Sequence, residues 1–463
     1  MDKESGKDLT VGSVPRHLLL FSVPMLIGNV MQIGYSMVNT IWVGHLVGED
    51  AVGASGVSLF ILFVLMGLVM GMSMGSTILV AQYYGAKDYS MVGKVVNTSF
   101  VLALILGGIL TIAAILSADP LLKAMDTPPE NFAMASSYLK ISMPGFILMY
   151  LSFLINSILR GTGDTVTPLI FMSVGIVLNA VLDPFFIGGF GLFPFHGLDG
   201  AAYATLVSQT VALGISFLYL NRRNHLVALH PGRLTMDRHV TFLLFKIGLP
   251  SIIQQSLVSI SSLFITTFVN AFGSAATNAF GAVVRVDMLA FMPSISMSMA
   301  VSALTGQNLG ALKPERVREA FRWGIVMTSA ITILISFVVV FLARPILTIF
   351  GLGGDPKVMD IGVTYLRMVG SCYLFFGIMF VSTGVINGAG HTMITMVFSL
   401  FSLWVVRIPV SWLLTKTILG IKGIWIAVML SFVVTMAINL AYYRSGRWKR
   451  TVITTPAAIT FMD

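Results

Sequence analysis

The chain has 463 residues, of which 56% are hydrophobic and 10% charged, with a mean hydropathy of +0.90 and a formal charge of +9. Ordinary globular proteins carry about 25% charged residues, so these values exclude a soluble particle, and also a disordered or collagen-like chain. Apolar runs that are continuous rather than alternating exclude an outer-membrane barrel, and a lone cysteine, Cys372, excludes an internal disulfide.

A bilayer core of about 30 Å needs about 20 apolar residues per helix. Twelve such stretches lie near 18–43, 53–82, 95–117, 136–158, 167–189, 200–220, 241–271, 279–305, 322–343, 361–384, 393–415 and 423–443. The expected fold is therefore an all-α polytopic membrane protein. Residues 1–17 form a polar N-terminal segment with no sign of a cleavable signal peptide. Lys and Arg fix the orientation. Lys3, Lys7, Arg16, Lys87, Lys94, Arg160, Arg222, Arg223, Arg233, Arg238, Lys246, Lys313, Arg316, Arg318, Arg322, Arg444, Arg447, Lys449 and Arg450 lie at one end of the stretches. Lys123, Arg344, Lys357, Lys416 and Lys422 lie at the other. Nineteen against five places both termini in the cytoplasm of a multi-pass protein of the inner or plasma membrane. The basic tail, 444–463, is a topology determinant and a contact for anionic lipid, not a nucleic-acid site.

The first stretch carries Gln32, Tyr35, Ser36 and Asn39. Gln32, Ser36 and Asn39 share one helical face. Such a stripe either lines a water-filled cleft or makes interhelical hydrogen bonds. Asn156 in the fourth stretch and Gln254 and Gln255 in the seventh extend the same choice. The run 66–75 offers small residues for close packing. Only two carboxylates sit deep in apolar stretches, Asp183 in the fifth and Asp287 in the eighth, and a charge at mid-bilayer costs from about 3 to more than 10 kcal/mol. Asn179 precedes Asp183 by one turn, and Pro184 has no N–H to offer the Ala180 carbonyl. The resulting oxygens suit a small hard cation; the alternative is an Asp satisfied by neighbouring amides. Asp287 cannot pair with Arg285 two positions away, which leaves a cleft role or a structural ion pair with another helix. Lys140 and Arg367 are expected to reach the headgroups, and Arg407 to bond carbonyls freed by Pro409. Met172, Met288 and Met292 are candidates for adaptable substrate contacts, or are core filler.

The halves repeat at an offset of about 225. LLLFSVP (18–24) matches LLFKIGLP (243–250), and LVAQYYGAKD (79–88) matches LTGQNLGALK (304–313). YLKI (138–141) matches YLRM (365–368), LRGTGDT (159–165) matches INGAGHT (386–392), and GLDGAAYA (197–204) matches GIKGIWIA (420–427). Six helices per repeat insert the same way up, giving two pseudo-symmetric six-helix lobes as parallel repeats. The expected lobes are 18–220 and 241–443, joined by a basic cytoplasmic linker at 221–240. Pro24 and Pro250 match across the repeat, as hinges or as paired packing kinks. Two lobes around a cleft are the shape of an alternating-access transporter, against a channel or scaffold with an old duplication.

These blocks resemble the MATE (multidrug and toxic compound extrusion) family over about 18–445. The pieces that carry the resemblance are PMLIGNVMQIGYSMVNTIWVG, LRGTGDT, NAVLDP and the Gln-containing ends of the second and eighth stretches. The likeness is to prokaryotic branches with a cation site in the N-terminal lobe. It implies export of organic, cationic, amphipathic compounds against sodium ions or protons, by a monomer without a cofactor. It also implies that Asn39 and Thr205 complete the site around Asp183, including a possible sodium site, and that Asp287 lines the C-terminal lobe. Many members of those branches carry Asp where this chain has Asn39, so the paired-carboxylate site has one carboxylate here. A flippase for lipid-linked glycan precursors is the runner-up; it needs a large cationic cleft, whereas the deep N-lobe charge is negative. The loop YYGAKDYSMVGK (83–94) lacks the major-facilitator signature, and no GxxxxGK[ST] loop binds nucleotide. No enzymatic motif is present.

Overall fold

The computed structural model describes residues 6–189, 197–223, 225–228, 234–351 and 354–453. Lys3, Arg233, part of the expected linker and tail residues 454–463 lie outside the described residues. All regular structure among the described residues is helical. The first half contains α1 (Val14–Leu46), α2 (Glu49–Gly85), α3 (Tyr89–Ala124), α4 (Pro129–Gly161), α5 (Val166–Gly188) and α6 (Leu198–Arg222). The second contains α7 (Arg238–Asn270), α8 (Ser274–Gly310), α9 (Pro314–Phe341), the short α10 (Ala343–Ile349), α11 (Pro356–Gly370), α12 (Tyr373–Gly388), α13 (Thr392–Leu400), α14 (Ile408–Thr415) and α15 (Ile421–Arg444).

Eleven helices or helix runs among the described residues are long and apolar enough to cross a membrane, and a bent pair makes a twelfth. That pair is α11 and α12, bent by 49°. The expected stretch 361–384 is therefore two helices that meet at Ser371 and Cys372. The expected stretch 393–415 is α13 and α14 joined by a π-helical turn, Phe401–Arg407. Pro409 follows directly, and its missing N–H explains why regular α-helix gives way there.

Helix ends follow local chemistry. The Asp88 carboxylate accepts from Met91 N at 3.0 Å and caps α3. Asp355 caps α11 by accepting from Lys357 N at 2.8 Å, and Asp237 caps α7 through His239 N and Val240 N at 2.9 and 3.1 Å. Carboxylates there satisfy the orphan N–H groups of a first turn. The repeat extends to backbone conformation. Gly48 and Gly273 both have positive φ before α2 and α8, and Gly163 and Gly390 both have it after α4 and α12.

Two compact units emerge, and the bounds at 23/24 and 248/249 fall inside helices rather than in loops. One holds residues 1–8 and 24–248, the other 9–23 and 249–463. The breaks in α1 and α7 thus lie at or beside Pro24 and Pro250. Local bonding explains the grouping of 9–23. Leu9 N donates to Gln307 Oε1 at 2.9 Å, Lys313 Nζ to Thr10 O at 3.0 Å, and an Arg316 Nη to Gly12 O at 3.0 Å. Lys313 and Arg316, counted among the topology charges, also hold backbone carbonyls. In the first unit, Gly75 of α2 faces the Leu244 carbonyl of α7.

Each unit buries its own core. Val43, Ala114, Leu122, Tyr138, Leu139, Met143 and Ile187 belong to that of the first unit. The second is more aromatic, with Tyr365, Tyr373, Phe376, Trp425 and Phe432. Phe291 and Phe376 stack at 3.6 Å there. The glycine of the repeated LRGTG and INGAG blocks has one job in both units. Gly161 of α4 abuts the Thr77 carbonyl and Val80 of α2, and Gly388 of α12 abuts the Ser302 carbonyl and Thr305 of α8. A Cβ at 161 would stand 2.8 Å from the Thr77 oxygen, so neither crossing admits even a methyl group. Gly161→Ala and Gly388→Ala are each expected to cost about 1–3 kcal/mol by overpacking. Gly108→Ala, which meets nothing within 4 Å, should be neutral or slightly stabilising. Thermal midpoints of the detergent-solubilised variants check this.

Candidate functional site

Helix α5 brings the central residues together because positions four apart share a face. Asp183 is 0% exposed and Asn179 is buried beside it. Asn39 Nδ2, from α1, donates to Asp183 Oδ2 at 3.0 Å. Asn179 Nδ2 donates to Thr205 Oγ1 of α6 at 3.2 Å, and Thr205 Oγ1 in turn donates to Ala201 O at 2.9 Å. The remaining oxygens, Asp183 Oδ1 and Asn179 Oδ1, are buried with no hydrogen-bond partner. Helix α5 continues through Pro184 to Gly188, so the Ala180 carbonyl has no N–H to accept at that position. The group carries one negative charge and three oxygens with spare lone pairs. Oxygens of this kind can hold a proton or a small hard cation.

The remaining α1 residues divide. Asn39 and Tyr35 are half-buried, whereas Gln32 and Ser36 are exposed in this unit. Asn156 is buried in α4, and Met172 of α5 fills the space beside Gly28. Ser173 Oγ donates to Leu169 O at 2.7 Å, one turn back on α5.

In the second unit, Gln254 is engaged between helices. Its Nε2 donates to Ser399 Oγ at 2.8 Å and to Thr395 O at 3.4 Å. Gln255 is half-buried, Met292 half-buried, and Met288 59% exposed. Asp287 is 8% exposed, and its partners are not cations. Tyr365 OH of α11 donates to Oδ2 and Tyr373 OH of α12 to Oδ1, each at 2.5 Å. The expectation of a structural ion pair is thus replaced by a carboxylate held between two phenols, while Arg285 is exposed on α8. Tyr365 opens the YLRM block that matches YLKI, but that match carries no sign of a bond to Asp287.

Arg407 also has a different partner from the one expected. Its Nε donates to Ser431 Oγ at 2.9 Å, and its guanidinium stands 5.3 Å from the Phe432 ring centroid. It lies near the repeat position of Asp183, so a fixed cation occupies the second unit where the first holds a carboxylate. Lys140 does not simply reach outward. Its Nζ forms a two-oxygen ion pair with Asp119 of α3 at 2.8 and 2.9 Å.

A model of the MatE family matches residues 24–185 and again 250–413. The two matches follow the internal repeat. The probable multidrug resistance protein YoeA of Bacillus subtilis (strain 168) is 32% identical over 446 residues, 96% of each chain. The probable multidrug resistance protein YpnP of the same organism is 30% identical over 442 residues, 96% of this chain and 97% of that one. Among solved structures, a MOP superfamily transporter from Pyrococcus furiosus is similar with a TM-score of 0.89 at 25% identity, covering 97% of this chain and 100% of the other.

Removing one phenol from Asp287 leaves a buried oxygen without its donor, which costs about 1–3 kcal/mol. Tyr373→Phe should lower thermal stability by that amount. Combined with Asp287→Asn, the loss should be less than additive, because both changes break one interaction. Strictly additive losses would show that the two residues act independently.

Proposed function

The chain belongs to the MatE family, and from that premise we propose that it is a secondary antiporter. It exports organic, cationic, amphipathic compounds against entry of sodium ions or protons by alternating access. It is a multi-pass membrane transport protein. The single observation that supports coupling at this site is the pair of buried, unpartnered oxygens, Asp183 Oδ1 and Asn179 Oδ1.

An unpaired carboxylate oxygen inside an apolar unit is costly unless something neutralises it. One sodium ion or one proton does so with the same charge arithmetic. For a proton, the acceptor is Asp183 Oδ1. For sodium, the ligands are Asp183, Asn179, Asn39, Thr205 and the Ala180 carbonyl, all hard oxygens. The substrate contacts are Gln32, Tyr35, Ser36, Asn156 and Met172 in one unit. In the other they are Gln254, Gln255, Asp287, Met288 and Met292. Pro24 and Pro250, where the unit bounds fall, serve as hinges, and Pro184 frees the carbonyl at the ion site. The excess of Lys and Arg at one end supports cytoplasmic termini in the inner or plasma membrane. The flippase reading is not favoured, because the relatives above are multidrug resistance proteins and the deep charge of the first unit is negative.

Two variants test the site in proteoliposomes that carry a fluorescent organic cation, under a sodium gradient alone and then a proton gradient alone. Asp183→Asn keeps the shape and removes the charge. It should reduce gradient-driven efflux to the background of empty vesicles, with normal expression and thermal midpoint. Efflux at the parent rate would sink the assignment. Asn39→Asp should retain transport and change its dependence on pH, and an unchanged profile would count against coupling at this pair.

A further inference from the structure

The second unit carries a basic, aromatic pocket that shares no residue with the groups around Asp183 or Asp287. It lies where the start of α9 meets the end of α15 and has a volume of about 440 Å³. Arg318 and Arg322 are four residues apart on α9 and so share one face. Arg444 and Lys449 close the pocket from the other side. Its base is an aromatic stack. The Phe321 and Tyr443 rings stand 3.7 Å apart, and Tyr443 lies parallel to Trp448 at 5.3 Å. Trp448 Nε1 donates to the Tyr443 carbonyl at 2.8 Å, so the platform is pinned to the end of α15. Gly446, with φ of +72°, makes the turn that folds Trp448 and Lys449 back.

Four cations around one cavity repel one another unless an anion joins them. Among the described residues, no carboxylate comes within ion-pair distance of any of the four; the ion pairs are Lys94–Asp237 and Lys140–Asp119. The contrast with the first unit is informative. There the basic residue near the start of α3 is Lys94. It is neutralised by Asp237 at 3.2 Å. The second unit keeps the basic end and leaves the counter-charge to a ligand.

We infer that this pocket binds the phosphate headgroup of an anionic phospholipid. Arginine pairs match phosphate oxygens in a planar, two-bond fashion, and Trp and Tyr sit at the headgroup level of membrane proteins. A soluble phosphate compound would need only the basic rim. A lipid also needs an apolar path for its chains, and α9 supplies one. Below Arg322, the residues Val326, Ile333, Leu334, Phe337 and Phe341 are all exposed on the helix. They recur at steps that keep to one side of α9.

The experiment uses the full-length, delipidated protein in detergent. Binding of short-chain phosphatidylglycerol, of phosphatidylcholine with the same chains, and of inorganic phosphate is measured by native mass spectrometry. Phosphatidylglycerol should bind at least tenfold more tightly than phosphatidylcholine. Arg318→Gln/Arg322→Gln should weaken phosphatidylglycerol roughly thirtyfold, as expected from two basic contacts. Lys449→Gln alone should weaken it about fivefold, which keeps a readout if the double variant folds poorly. Arg447→Gln, which does not line the pocket, should leave affinity unchanged. Double- and single-variant affinities within twofold of the parent would overturn the proposal. Displacement of the lipid by an equal concentration of inorganic phosphate would also overturn it, because the occupant would then be a soluble anion.

Discussion

The first unit depends on one electrostatic constraint: a carboxylate enclosed by apolar helices must be neutralised or solvated by fixed dipoles. Asp183 has one oxygen accepting from Asn39 and the other without a partner. One donor does not satisfy a carboxylate, which has about four lone-pair positions to fill. Three helices contribute to the group, with α1 supplying the Asn39 amide to Asp183 of α5, and α6 the Thr205 hydroxyl to Asn179. Asn39 in place of a second carboxylate matters for the same reason. It donates a hydrogen bond where an ionised Asp would repel, so the pair holds together without an ion. The bridge takes one carboxylate oxygen and leaves the other without a partner.

The second unit solves the same problem by other means. Asp287 has a donor on each carboxylate oxygen, since each accepts from a phenol. Arg407, near the place that Asp183 takes in the first unit, is a cation that cannot leave. Its contacts are a serine hydroxyl and an aromatic face. A tethered guanidinium and a hydroxyl-satisfied carboxylate leave no vacancy for an exchangeable ion. The aromatic core of that unit fits this division, since Tyr365 both packs against Trp425 and donates to Asp287.

Much of this was legible in the sequence, for identifiable reasons. The spans were visible because a bilayer demands length and apolarity, which are additive along the chain. The Asp183 group was visible because Asn179, Ala180 and Pro184 are neighbours in sequence, so helix geometry alone assembles half of it. Its α1 partner needed the family resemblance, because no local rule links residues 39 and 183. Tertiary partners between distant helices were not legible. Nothing in the sequence around Lys140 points to Asp119, and nothing around Asp287 points to two phenols, since pairing across helices depends on rotation and depth. The bend at Ser371 and the π-turn before Arg407 were missed because hydropathy averages over a window and is blind to backbone geometry. The partners of the polar N-terminal segment were not legible either, since Gln307, Lys313 and Arg316, which bind its backbone, lie far away in sequence.

What the duplication kept and what it discarded follow from different physics. The helix-crossing glycines and the turn glycines recur in both units because any side chain there meets backbone or requires a strained φ. Those positions have one workable residue, so two copies must agree. A charged position has several workable solutions, provided each is satisfied. An unpaired carboxylate bridged by an amide is one, a carboxylate between phenols is another, and an arginine on a serine is a third. Helix packing therefore stays symmetric while charge does not. An exporter coupled to a cation needs one vacancy that can be filled and emptied, and a second matching vacancy would bind a further ion at each cycle. With Arg407 tethered in the second unit, the deep carboxylate oxygen left without a partner is that of Asp183 in the first.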